Sequence, residues 1–80
     1  MKGKEEVILS FEVTPDAEAI EVHCNPAGLE SLRRALSELA ESKDNHVHLL
    51  APQYGGEELS EMKVGVKNTK VLSVKIFRWS

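Results

Sequence analysis

The residues best suited to chemistry lie in one run, HVHLLAPQYGGEEL, from His46 to Leu59. His46 and His48 project from the same side of a strand, about 6–7 Å apart along the chain. Two histidines at that spacing can share a zinc ion if other ligands complete the set. His23, Glu57 and Glu58 are available, but nothing in their spacing fixes a third or fourth ligand. No metal is assigned, and His23, His46 and His48 stand as the candidate ligands. Glu57 and Glu58 resemble the paired carboxylates of an acid–base site only in being adjacent. Gly55 and Gly56 make no phosphate loop, because no Gly-x-x-x-x-Gly-Lys pattern leads into a helix. Cys24 follows His23, and neighbours on a strand point to opposite faces, so they form no nucleophile–base pair. Cys24 reads as a small core residue. The expectation is no enzyme, no catalytic residues and no cofactor.

The elements that would position these groups fit in one domain, 1–80. A chain of 80 residues has a thin core and no room for a deep active site. Its 13 acidic and 10 basic residues give a net charge of -3, which argues against a nucleic-acid binder with its basic stripe. One cysteine excludes an internal disulfide and suits a reducing compartment. No apolar run reaches the ~20 residues of a membrane span. The opening MKGKEEV lacks the apolar stretch of a signal peptide. The expected location is the cytoplasm.

Hydrophobic period sets the elements. VILSFEV and AIEVHC alternate as strands around the turn residues TPDA, giving a hairpin. NPAGLESLRRALSELAES changes to helical period, with Leu29, Leu32, Leu36 and Leu39 as its stripe, Asn25 as N-cap and Pro26 in the first turn. HVHLLAP is a strand ended by Pro52, QYGGEELSE a loop, and KNTK a turn with Asn68 suited to a left-handed conformation. MKVGV (62–66) can be read as a short strand or as loop. VLSVKIFRW closes the chain as a strand. The fold class is α+β: one antiparallel sheet of four to five strands with a single amphipathic helix on one face, in the order ββαβ(β)β.

Parity then assigns the faces. The expected core is Val7, Leu9, Phe11, Ile20, Val22, Leu29, Leu32, Leu36, Leu39, Val47, Leu49, Leu72, Val74 and Ile76. The far face carries Ser10, Glu12, Glu21, His23, His46, His48, Ser73, Lys75, Phe77 and Trp79. Histidines and large aromatics on an open face mark a contact surface, or else pack under a loop such as Tyr54–Leu59.

HVHLLAPQYGGEELS, with VKIFRW near the end, is similar to a small bacterial family, immunity protein family 32. Its members typically read His-x-His-Leu, a short gap to Pro, an aromatic, Gly-Gly, one residue and Glu-Leu-Ser, and they end in a Val-Lys-Ile-aromatic-x-Trp strand. The matching positions are His46, His48, Leu49, Pro52, Tyr54, Gly55, Gly56, Glu58, Leu59 and Ser60, then Val74, Lys75, Ile76, Phe77 and Trp79. Tyr54 stands where tryptophan is commoner, and MKVGVKNTK is an insert before the last strand. The N-terminal half matches in layout only.

The resemblance implies a small cytosolic protein that binds and neutralises a toxin domain by stoichiometric contact. The partner-binding candidates are His46, His48, Tyr54, Gly55, Gly56, Glu57, Glu58, Lys75, Phe77 and Trp79. The expected partner is a protein, with no nucleic acid and no membrane, and the chain is a monomer or weak homodimer. Two other readings stay open. One is a small ligand- or metal-binding module using the His23/His46/His48 face. The other is a subunit that dimerises through its final strand.

Overall fold

The computed structural model describes residues 6–79. The two alternating runs form β1 (Leu9–Val13) and β2 (Ile20–Cys24), antiparallel with Phe11 opposite Val22. The turn between them is held by Asp16, whose carboxylate accepts from the Thr14 hydroxyl and the Glu18 amide. The leucine stripe forms α1 (Pro26–Glu41). After it come β3 (His46–Leu50), a 3-10 turn at Pro52–Tyr54, β4 (Thr69–Lys70) and β5 (Ser73–Phe77). The α+β class and the single helix agree with the sequence pattern.

The strands divide into a three-stranded sheet, β2-β1-β4, and a two-stranded sheet, β3-β5, both antiparallel. The division falls at adjacent residues. The Val71 amide donates to Phe11 of one sheet, while the Leu72 carbonyl accepts from Ala51, the residue after β3 of the other. Neighbouring peptide groups on a strand point to opposite sides, so the last run of chain passes between β1 and β3. It cannot pair with β1 along its whole length, because Ser60 already occupies Leu9. The Ser60 amide donates to the Leu9 carbonyl, and its hydroxyl accepts from the Leu9 amide at 2.7 Å. Residues 62–66 form no strand.

The core is Leu9, Leu49, Ala51 and Leu59, with Phe11, Leu32, Ala35, Leu72, Val74 and Ile76 against it. Leu39 is also buried. Five residues expected inside are exposed: Val7, Ile20, Val22, Leu29 and Leu36. Cys24 is exposed as well. The cause is how the helix sits. Its buried residues are Gly28 and Leu39, and Leu32 and Ala35 lie on the same stripe at helical spacing. That stripe packs on the core, which β1, β3 and β5 build. The end strand β2 and the flanking stripe of Leu29 and Leu36 remain outside. Ala51 and Leu59 were hidden from period because they lie in irregular backbone.

Asn25 ties the helix to the sheet. Its side-chain oxygen accepts from Gly28 N at 2.8 Å, the expected cap, and from Ile8 N at 3.0 Å. Its amide nitrogen donates to the Glu6 carbonyl. At the other end, the Arg78 guanidinium donates to the carbonyls of Ala40 and Ser42, which the helix leaves without internal partners. Asn25→Ala is expected to cost about 2 kcal/mol, more than an ordinary cap, because it also orphans the Ile8 amide. Asn25→Asp, which keeps the accepting oxygen, should lose less than half of that in urea unfolding. Equal losses would show that the oxygen is not what matters.

Candidate functional site

His46, His48 and Leu50 lie opposite Phe77, Lys75 and Ser73 in the β3–β5 register. Opposed residues of an antiparallel pair share a face, so the histidines, Lys75 and Phe77 stand together. The His46 ring stacks on Phe77 with centroids 5.4 Å apart and meets His48 edge-on at 4.8 Å. His46 Nδ1 is 3.0 Å from the Asn45 side-chain oxygen. Phe77 is 51% exposed and Trp79, just past β5, 89%. Tyr54 is 59% exposed. Among the described residues these are large aromatic surfaces left to solvent.

The rest of the motif has structural work. Gly55 closes the 3-10 turn at φ 78, the left-handed region that glycine enters without strain. Gly56 passes so close to Leu50 that a Cβ would overlap its backbone oxygen. The Glu58 carboxylate accepts from the Leu50 amide at 3.1 Å, on the side of β3 that faces away from β5. Leu59 enters the core, and Ser60 grips Leu9. GGEELS is therefore a clamp between the two sheets. Glu57 stays exposed. The opening run is thus two things at once: a strand with an aromatic face, and a loop that fastens the strand to the rest.

His23 lies elsewhere, on β2, so the three histidines do not converge. Its Nε2 is 2.9 Å from Glu21 Oε1 and 3.8 Å from Glu12 Oε1. These three make the group of potential metal ligands found among the described residues, with ligand atoms within 4.8 Å of one another. Glu12 has little left to offer a cation. Its Oε2 accepts from Ser10 Oγ and Val64 N, and its Oε1 from Gly65 N and Asn68 Nδ2. Two donors on each oxygen use the lone pairs of a carboxylate.

The residues that parity placed on the open face, Ser10 and Glu12, are fully buried under segment 60–68. Asn68 is buried too, and donates to both Glu12 and Glu21. It does not take the left-handed conformation for which its residue type is suited; among non-glycine residues described, Ala17 does. Burial pushes the Glu12 carboxyl up, but the four hydrogen bonds together outweigh it and hold its pKa at about 2, against an ordinary 4.5. The Glu21 carboxyl is also lowered, chiefly by His23 and then by Asn68. This knot had no signal in the sequence, since Glu12 and Asn68 are 56 residues apart.

The sequence model of one family, Immunity protein 32, matches residues 19–67, well over half the chain. The chain belongs to that family. The match runs from the end of the first hairpin through α1 and β3 to the 60–68 segment, and so includes the clamp. It leaves out β1, β4 and β5, so the VKIFRW likeness rests on the motif alone. Comparison with curated proteins and with solved structures returns no match. No helix among the described residues is long and apolar enough to cross a membrane.

Proposed function

We propose that this Immunity protein 32 member neutralises a toxin domain by stoichiometric contact in the cytoplasm of the cell that makes both, without catalysis. Membership of the family carries the reading. The contact surface we assign is the outward face of β3 and β5: His46, His48, Lys75 and Phe77, with Trp79 and Tyr54 at its margins and Glu57 beside them. Gly55, Gly56 and Glu58 act one step back, by holding the Tyr54 turn against Leu50. An exposed aromatic cluster on a rigid pair of strands is what a tight inhibitor uses as anchor.

The test is co-expression with the toxin-domain protein encoded beside the gene. The wild-type chain should protect the cell and form a one-to-one complex. Phe77→Ala combined with Trp79→Ala should weaken that complex at least ~30-fold, since one buried aromatic anchor contributes about 2 kcal/mol or more and neighbouring anchors add less than fully. Its melting temperature should stay within about 3 °C of wild type, because both side chains are mostly exposed. Unchanged affinity would move the contact to another face. Absence of both complex and protection would overturn the function itself.

A further inference from the structure

Strand β2 ends the three-stranded sheet, so one of its edges pairs with no strand among the described residues. The bonds Thr14 N to Ala19 O and Asn25 N to Ile8 O set the phase of its pairing with β1. Glu21 and His23 turn their peptide groups toward β1, so Ile20, Val22 and Cys24 turn theirs outward. None of those outward groups has a partner among the described residues. The same residues expose their side chains, Ile20 by 65% and Val22 by 45%, with Cys24 beside them. The edge thus offers both unpaired backbone and apolar surface, which natural edge strands ordinarily blunt.

We propose that β2 is the contact strand of a two-fold symmetric dimer of this chain, pairing antiparallel with the β2 of a second copy about Val22. In that register Val22 meets the partner's Val22, and Ile20 meets the partner's Cys24. Every outward amide and carbonyl of the three residues is then satisfied. On the other face Glu21 meets the partner's His23, and His23 the partner's Glu21, so the ionisable side chains of the strand oppose one another in complementary pairs. A slip in one direction sets Glu21 against the partner's Glu21. A slip in the other sets His23 against the partner's His23. Both shorten the overlap of a five-residue strand. The charges therefore select one register of the three that the backbone allows.

The symmetry is isologous, and it extends the three-stranded sheet to six strands. It also keeps both helices on one face. The Cβ position of Gly28 is 3.2 Å from Cys24 Cβ, so α1 lies on the side of the sheet that carries Ile20, Val22 and Cys24. That helix supplies Leu29 and Leu36, both exposed in the single chain, to the same side of the junction.

The other open edge does not share this complementarity. Ser73, Lys75 and Phe77 of β5 turn their peptide groups away from β3, and the full overlap there is centred on Lys75. Self-pairing would set two ammonium groups directly opposite, the usual device against edge association. The final strand is thus guarded where β2 is not. The proposed dimer leaves the β3–β5 face, which belongs to the other sheet, for a different partner.

The test is sedimentation of the whole chain, run beside two variants. Wild type should sediment as a dimer at concentrations of tens of micromolar. Val22→Lys, a change at an exposed position, should raise the dimer dissociation constant at least tenfold with an unchanged circular dichroism spectrum. A mass that stays monomeric at high concentration overturns the proposal, as does a dimer that Val22→Lys leaves intact. Cross-linking gives an independent reading. Directly opposed Cα atoms in a hydrogen-bonded antiparallel pair lie about 5.5 Å apart, within disulfide range. In a Cys24→Ser background, Val22→Cys should oxidise rapidly to a covalent dimer, and Ser73→Cys combined with Phe77→Cys, which probes β5 pairing with Lys75 kept, should not. The reverse order would place the contact on β5 and also overturn the proposal.

Discussion

Glu12→Ala should unfold most of the protein's margin, with a loss of about 4 kcal/mol in water. The side chain is fully buried and holds four donors, two of them backbone amides of the 60–68 segment. Hydrogen bonds to a charged acceptor contribute about 1.5–3 kcal/mol each, less than additively when they share one carboxylate. A domain of this size has roughly 4–12 kcal/mol in total, at about 0.05–0.15 kcal/mol per residue. Glu12→Gln keeps the volume but turns an acceptor into an amide nitrogen that faces donors. It should lose about 3 kcal/mol at neutral pH.

The charge itself has a pH signature. The folded carboxyl titrates at about 2 and the unfolded one near 4.5, so the folded state favours the ionised form. Stability from this source is complete above pH 4.5, declines as pH falls through the interval, and is gone below about 2. The size of the displacement corresponds to about 3 kcal/mol. Other lowered carboxyls, Asp16, Glu21 and Glu30, act in the same direction. Asp16 and Glu30 are the same in both proteins and cancel in the difference between wild type and Glu12→Gln, which leaves Glu12 and the Glu21 carboxyl that its charge raises. Urea unfolding at steps from pH 6 to 2 should show the two curves converging as the pH falls. Parallel curves would mean that Glu12 is not ionised in the fold.

Glu12 also shows where sequence reasoning stops. Alternation in VILSFEV identifies the strand because a strand presents successive residues to opposite faces. It says nothing about what covers each face. Parity assigned Ser10 and Glu12 to solvent, since a carboxylate on the polar side of an alternating strand is ordinarily exposed. The covering segment, 60–68, alternates at Met62, Val64 and Val66 but forms no strand, and its contribution is made by the amides of Val64 and Gly65, which no side-chain pattern encodes. The helix was legible in its ends and its length: Asn25 and Pro26 announce the start, and leucine spacing gives the stripe. Which leucines go inside was not. Leu29 and Leu36 satisfy the same period as Leu32 and Leu39, and the choice depends on the angle at which the helix meets the sheet.

The histidine motif was legible in a different way. Its order and spacing mark a family, and the family match includes it. Yet several of its members have work inside the fold: Gly56 against Leu50, Glu58 on the Leu50 amide, Ser60 on Leu9. A motif that clamps two sheets together is tied to the fold as tightly as one that touches a partner. The two roles separate only by position. His46, His48 and Phe77 project from the β3–β5 face, whereas Glu58 and Ser60 turn back toward the chain.

Gly28→Ala is the substitution on which simple rules give opposite signs. Gly28 lies in the first turn of α1, where alanine has the better helix propensity by about 1 kcal/mol and glycine loses more entropy on folding. On that ground the change should stabilise. The structure says otherwise. A Cβ at this position would overlap the Ile8 carbonyl oxygen and lie 2.6 Å from the Ile8 carbonyl carbon. Both are backbone atoms next to β1, and they cannot swing aside as the end of a side chain would. The helix must move instead. That motion would break the double role of Asn25, whose oxygen holds Gly28 N and Ile8 N together. It would also open a gap under Leu32, Ala35 and Leu39. Overpacking costs about 1–3 kcal/mol, and the broken cap adds about 1 more. After the propensity gain, the net loss should be about 1–3 kcal/mol, or a fall in melting temperature of roughly 4–24 °C for a domain of this size. Thermal melts followed by circular dichroism would measure it. Gly55→Ala is the comparison, because nothing stands within 4 Å of its Cβ position and only its φ of 78 opposes the change. It should lose about 1 kcal/mol. If Gly28→Ala melts at or above wild type, the close approach of α1 to β1 at Ile8 is wrong, and helix propensity governs the site.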